Sequence, residues 1–262
     1  MARLTLSIAD GIARVELARP ERLNALDGRA MAQLVEAGDA IAARRDVRVV
    51  VLSGAGRAFC AGIDLDSLKR LSGTGEADVD LTTPVRGAAN LAQLAVLQWR
   101  DLPVPVIAAV HGVALGAGLQ LALGADIRIV APDALLAIAE ARWGLVPDMA
   151  GFATLVAVLP RDQIARLAFA GEEIDGVEAA RIGLATELAE DPLARALALA
   201  RTIAGNNPSA VRAAKRLMAI TDEAEQLRAE AAAQLALFGT PNQREAVAAR
   251  LEKRAPVFTD DT

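Results

Sequence analysis

The chain has 262 residues, 53% of them hydrophobic, 23% charged and 3% aromatic, with a formal net charge of -5. That length and apolar content suit one sizeable α/β domain, or a domain with an appendage, and exclude a disordered chain. The acidic balance and the scarcity of rings exclude a surface that tracks phosphates or stacks bases, so no nucleic-acid partner is expected.

Cys60 is the only cysteine and His111 the only histidine, which excludes an intrachain disulfide or a thiolate metal cluster and leaves little for a zinc site. No metal is expected. No apolar run reaches the roughly 18 to 20 residues of a membrane span, and the first residues lack the basic and apolar regions of a secretion signal. A soluble, cytoplasmic protein with no membrane partner is expected.

Leu4, Leu6 and Ile8 alternate, Ala9-Asp10-Gly11 supplies a turn, and Ala13, Val15 and Leu17 alternate again, which predicts a hairpin. Met31, Leu34, Val35, Gly38 and Ile41 then fall at helical spacing and lead into an apolar run over 47–52, a buried strand. Residues 71–84 are polar, rich in Gly, Thr and Asp and without period, which predicts a mobile surface loop such as those that cover active sites. Strands are predicted again over 104–110, 127–130 and 135–138, with a glycine-broken helix from Gly116 between the first two. This alternation implies right-handed crossovers in a largely parallel sheet. Beyond about Pro160 nearly everything reads as helix, over 174–182, 192–204, 208–218, 224–238 and 242–254, punctuated by Gly171, Asn206-Asn207 and Gly239-Thr240-Pro241. The expected organisation is an α/β core over 1–200 and a helical region over 201–262.

Two glycine-bearing segments follow predicted buried strands. One runs from Ser53 through Phe59-Cys60-Ala61-Gly62-Ile63 to Leu65, the other from His111-Gly112 through Gly116-Ala117-Gly118 to Gln120. Each places unpaired amides where a helix begins, and the positive end of the backbone dipole there favours a developing anion. The alternative is a tight turn that lets backbones pack closely. Neither segment has the spacing of a P-loop or of a dinucleotide fingerprint.

Four stretches together resemble the enoyl-CoA hydratase/isomerase (crotonase) family: Arg19-Pro20-Glu21-Arg22-Leu23-Asn24-Ala25-Leu26, Ala58-Phe59-Cys60-Ala61-Gly62-Ile63-Asp64-Leu65, the segment from Pro105 to Gly118, and the closing Glu252-Lys253-Arg254-Ala255-Pro256-Val257-Phe258. The resemblance spans essentially the whole chain. It implies the ClpP/crotonase fold, a spiral α/β core of ββα units with a helical C-terminal region that supplies trimer contacts or a lid. It also implies a homotrimer, or a hexamer of stacked trimers, acting on an acyl-CoA without a separate cofactor, coenzyme A being part of the substrate.

Carried over by position, the resemblance makes the backbone N–H groups of Ile63 and Ala117 the oxyanion hole. Alanine in place of the glycine common at position 117 keeps that N–H. Substrate-binding positions are expected at Asn24, Ala61, Gly116, Gln120 and Lys253, and at Asp64 and Leu65 along the pantetheine channel mainly through backbone. Trp143 is expected as a packing residue or a wall of the acyl pocket, and Arg22, with Lys69 and Arg70, meets the CoA phosphates or lies on a solvated face. The family's hydratases use two glutamates, at positions held here by Gln120 and Glu140, and an amide cannot take a proton from water at neutral pH. Asp148, eight residues after Glu140, instead resembles the dienoyl-CoA isomerase branch, in which acids at these two positions shuttle a proton along the acyl chain. Isomerisation by Glu140 and Asp148 is therefore the leading expectation, with hydration across the 2,3 double bond and weak acyl-CoA binding as alternatives. As structural residues, Glu140 would start a surface helix or pair with Arg142, and Asp148 would follow Pro147 in a turn. His111 is expected in a turn or a hydrogen bond and Cys60 as a buried hydrophobe. A serine peptidase of similar architecture would need a Ser/His/Asp set, and no serine of this chain is expected in a strand-to-helix elbow.

Overall fold

The computed structural model describes residues 2–72 and 79–260, so residues 73–78 of the expected surface loop lie outside the described residues. β1 (Leu4–Ala9) and β2 (Ile12–Leu17) form the expected antiparallel hairpin, turned at Asp10 and Gly11 with φ of 51° and 75°. Asp-Gly suits a two-residue turn in which both residues need positive φ. α1 (Gly28–Ala42) is capped by Asp27, whose side chain accepts the Ala30 N–H, and it buries Met31, Leu34, Val35, Gly38 and Ile41 as their spacing predicts.

β3 (Val49–Gly54), α2 (Leu65–Ser72), α3 (Leu91–Asp101) and β4 (Val106–Val110) follow, then β5 (Val113–Leu115), α4 (Ala117–Leu123), β6 (Ile127–Val130) and β7 (Leu135–Ala137). β3 and β4 are buried along their whole length, which is why they read as unbroken apolar runs rather than alternating ones. α5 (Gly151–Leu155), α6 (Arg161–Ala170), β8 (Glu173–Asp175), α7 (Gly176–Arg181) and β9 (Glu187–Leu188) lead into the closing helices α8 (Pro192–Ala204), α9 (Pro208–Met218), α10 (Glu223–Leu237) and α11 (Pro241–Glu252).

The six-stranded sheet has the order β1-β2-β3-β4-β6-β9 and is parallel after the first hairpin, while β5, β7 and β8 make a second, smaller sheet. The parallel core is thus as expected, but the chain beyond Pro160 is less uniformly helical. Ile174 lies in β8, paired antiparallel with β7, and the helix begins only at Gly176, where Asp175 caps it by accepting the Glu178 N–H. Three residues of strand carry too little period to read locally.

The residue-200 boundary falls inside α8, whose Ala196, Ala200 and Ala204 pack with Val49, Val51, Ile107, Ala109 and Ile129 against the sheet. α9 is fastened by Lys215, whose ammonium meets Asp126 at 2.8 Å and donates to the carbonyls of Trp99 and Val104. α10, by contrast, buries none of its residues. Among the described residues no helix is long and apolar enough to cross a membrane.

Candidate active site

Two loops meet beneath the C-terminal ends of β3 and β4. Leu26 bridges Ile63 and Cys60 bridges Ala114, each in parallel fashion, so the segment after β3 is stitched on one side to the chain before α1 and on the other to β5. The stitching is tight. A β-carbon built on Gly62 would lie 2.8 Å from Leu115 O and 3.8 Å from Ala117 N, which puts the Ile63 and Ala117 loops in direct contact. Ile63 precedes α2 and Ala117 is the first residue of α4. Neither amide hydrogen bonds to another described residue. The Ala117 N–H is an orphan donor at a helix start, a group that favours an anion, and the Ile63 N–H lies two residues before α2.

Beside them opens a cavity of about 600 Å³ with largely apolar walls, among them Met31, Leu68, Leu81, Leu115, Trp143, Leu145, Val146 and Met149. Trp143 is 60% exposed and Val146 66%, and such open apolar surface around a cleft marks a place for an apolar ligand. Ala61, Ile63, Leu65, Gly116, Ala117, Glu140, Trp143 and Asp148 all line it, so the structure gathers eight of the residues singled out from sequence.

Glu140 begins a short 3-10 turn, Glu140–Trp143, and is 9% exposed. It is no surface residue and no partner of Arg142, which pairs instead with Glu173 at 2.6 Å. Burial raises the Glu140 pKa, and the charge of Asp148 adds to the rise, against the pull of a hydrogen bond from Gln120. Asp148 opens to the cavity, yet the protein around it also raises its carboxyl above the usual range by desolvation. Two carboxyls whose titration is raised, first of all by burial, at an apolar wall are suited to proton transfer.

Several expected contacts take a different form. Asn24 does not face the cavity: its side-chain amide donates to the carbonyls of Ala55 (2.9 Å) and Ala58 (2.8 Å), and its Oδ1 accepts the Arg19 N–H. It braces the loop after β3 by satisfying two carbonyls that lie outside regular structure. Asp64 is expected to act mainly through its backbone, and its carboxylate is engaged away from the cavity, with the Arg19 guanidinium at 3.0 Å and with Oδ1 accepting the Asp66 N–H. Burial pushes its pKa up, but those partners outweigh the push and hold it below the ordinary value. Gln120, 2% exposed, sits behind Glu140 rather than in the cavity wall. Arg22 pairs with Asp66 at 3.5 Å on the surface, and Lys253 ends α11 at φ 54°; neither lines the cavity within this chain. His111 Nε2 meets Gly56 O at 2.9 Å, and burial pushes the Cys60 thiol up to about 12, so neither has the setting of a nucleophile or its base.

Leu145, Val146 and Met149 were not picked out from sequence. Their signal was available: an apolar cluster inside a segment with Gly144 and Pro147 that can be neither helix nor strand.

A free amide at the start of α4 and another just before α2 stand next to an apolar cavity with two perturbed carboxyls, an arrangement able to polarise an acyl carbonyl and move its protons. The pattern of the enoyl-CoA hydratase/isomerase family matches residues 7–261. A protein described as a probable enoyl-CoA hydratase from Mycobacterium bovis is 39% identical over 96% of this chain and 90% of its own. The 1,2-epoxyphenylacetyl-CoA isomerase of Escherichia coli is 36% identical over 96% of each chain. The crystal structure of an enoyl-CoA hydratase from Bacillus anthracis superposes with a TM-score of 0.88 at 30% identity, covering 99% of this chain and all of that one. The chain belongs to the enoyl-CoA hydratase/isomerase family and has the crotonase fold.

Proposed function

We propose that this family member moves a carbon-carbon double bond along an enoyl- or dienoyl-CoA. The thioester oxygen accepts hydrogen bonds from the Ile63 and Ala117 amides, which acidifies the adjacent C–H; removing one such donor typically costs about 2.7 to 4 kcal/mol of transition-state stabilisation. One of Glu140 and Asp148 takes a proton from the acyl chain, and the electron pair delocalises through the alkene onto the thioester oxygen. The other returns a proton further along. The reaction adds and removes nothing, so no cofactor is needed beyond the coenzyme A that the substrate carries.

The observation that supports this reading is that Glu140 and Asp148 line one cavity and both titrate high. The amide of Gln120 stands where the hydratases of the family have a second glutamate and the isomerase branch a third acid, so it favours neither reading. The E. coli relative's description as an isomerase is in keeping with isomerisation. Hydration is the second reading, favoured by the description of the M. bovis relative and by the unpartnered Oε2 of Glu140, which could hold water. A panel of 2-enoyl-, 3-enoyl- and dienoyl-CoA substrates followed by mass spectrometry separates the two, since hydration adds the mass of water and isomerisation does not. For the helical region over 201–262 the proposed role is subunit contact in a homotrimer or hexamer, supported by the exposure of Leu227, Leu235 and Phe238 along α10 and at its end.

A further inference from the structure

The hydrogen bonds around Gln120 have only one consistent orientation. Its Oε1 lies 2.9 Å from the Met149 amide nitrogen, which can only donate, so Oε1 must be the acceptor there. The Nε2 group is thereby turned to Glu140 and donates to Oε1 at 2.6 Å. Gln120 is 2% exposed, and Gly151 leaves the room it occupies, since a β-carbon on that glycine would come within 2.7 Å of Gln120 Oε1. An amide locked in this way neither rotates nor exchanges its donor for an acceptor. Glu140 Oε2, on the other side of the carboxyl, is buried with no hydrogen-bond partner.

We propose that Gln120 is a positioning residue, a one-way brace that withdraws Glu140 Oε1 from proton exchange and assigns all of the proton traffic of Glu140 to Oε2. This rests on Glu140 being the proton carrier of the proposed function, but it holds for either direction of chemistry there. The brace differs from a second acid. A carboxyl at position 120 would itself offer and take protons, whereas the amide fixes the rotamer of Glu140 and favours its ionised form by donating to it. The groups that face Glu140 are few: Asp148 supplies the charge that acts on it, Gln120 packs from α4, Gly116 and Ala117 are neutral, and Arg142 on its own turn is engaged with Glu173.

The test is a titration of the full-length protein with 13C-labelled glutamate, the Glu140 carboxyl resonance being assigned by its loss in Glu140→Gln. Gln120→Met keeps the volume and removes the donor, and the Glu140 midpoint is expected to rise by about one pH unit. The limb of the kcat/KM profile that Glu140 controls should move with it. Gln120→Glu should split the titration into two steps, one on each side of the wild-type midpoint, because carboxyls at this distance share a proton. Below the upper step the protonated acid donates as the amide does, and activity should recover towards wild type.

A merely structural glutamine would lower kcat at every pH without moving the midpoint, and a midpoint unchanged in folded Gln120→Met overturns the proposal. Circular dichroism establishes folding, and if Gln120→Met is unfolded the splitting in Gln120→Glu decides the matter alone. Because the resonance needs no substrate, a wild type that only adds water would sink the isomerase reading and leave this one standing.

Discussion

Gly116 and Glu140 touch so closely that the glycine admits no side chain: a β-carbon built on it would lie 2.9 Å from Glu140 Oε1 and 3.4 Å from its Cδ. Gly116 also stands at φ 49° and ψ -117°, a backbone that only glycine adopts freely. Gly116→Ala should therefore cost roughly 1–3 kcal/mol of stability through strain. It should lower kcat by on the order of 100-fold, because the displaced atom is the tip of the carboxylate. Gly183→Ala is the control, with φ at 88° and nothing within 4 Å of the added carbon. It should lose stability and retain kcat, and equal kcat losses in the two variants would disprove the link between Gly116 and Glu140.

The second test concerns the amide of Ala117. Proline is tolerated at the first position of a helix, which is where Ala117 stands, so Ala117→Pro should leave α4 in place while deleting the N–H. A loss of about 10²- to 10³-fold in kcat is expected, against little change for Ala117→Gly. Similar damage from both would mean that the methyl group matters and the amide does not.

What could be read from the chain in advance follows from how local its physics is. The β1–β2 hairpin, α1, β6 and the helices α8 and α9 carry their own signals: an Asp-Gly turn, a 3.6-residue apolar period, and Asp191-Pro192 or Asn207-Pro208 at a helix start. β5, β8 and β9 are two or three residues long and exist only because a distant strand pairs with them. α3 is apolar on most of its surface and was not separated from its surroundings, although Asn90 and Gln93 form a full capping box before it. At the site, Glu140 and Asp148 were legible as residue types at a spacing. The turn of Asn24 and Asp64 away from the cavity was not, since it depends on Arg19 and on carbonyls 31 and 34 residues further along.

Glu140 also makes a prediction for stability. Its pKa is raised in the folded protein, so the fold binds that proton more tightly than the unfolded chain does. Stability on this account is greatest below the unfolded pKa and falls as pH rises through the folded value. Glu140→Gln, which cannot ionise, should melt higher than wild type at pH 8, by roughly 2–4 °C per kcal/mol relieved. The difference should vanish near pH 4. A melting difference independent of pH would place the effect in packing instead of in charge.

For the closing helices the expectation is association. Leu235 is 70% exposed and Phe238 60% in the single chain, and α10 has no buried residue to hold it by itself. Light scattering at micromolar concentration should give a trimer or a hexamer, and Leu235→Asp with Phe238→Asp should shift it towards monomer. A wild type that scatters only as monomer rules out the proposed role of this region.

The most discriminating comparison is between Glu140→Gln and Asp148→Asn, both nearly isosteric, each assayed for water addition and for double-bond movement. If isomerisation is the reaction, each carboxylate has its own half of the proton relay, and each variant should lose about 10²- to 10⁴-fold in kcat, the usual worth of a positioned acid or base. If hydration is the reaction, Glu140 alone can orient water, because Gln120 is an amide whose oxygen already accepts from the Met149 N–H. Asp148→Asn should then be mild, and Gln120→Glu should raise hydratase activity by supplying the missing acid. The site favours the first outcome. Asp148 lines the same cavity as Glu140, as a shared proton relay requires, and its charge adds to the rise that burial gives the Glu140 pKa. Full isomerase activity in Asp148→Asn, or a wild type that only adds water, would remove the two-carboxylate mechanism.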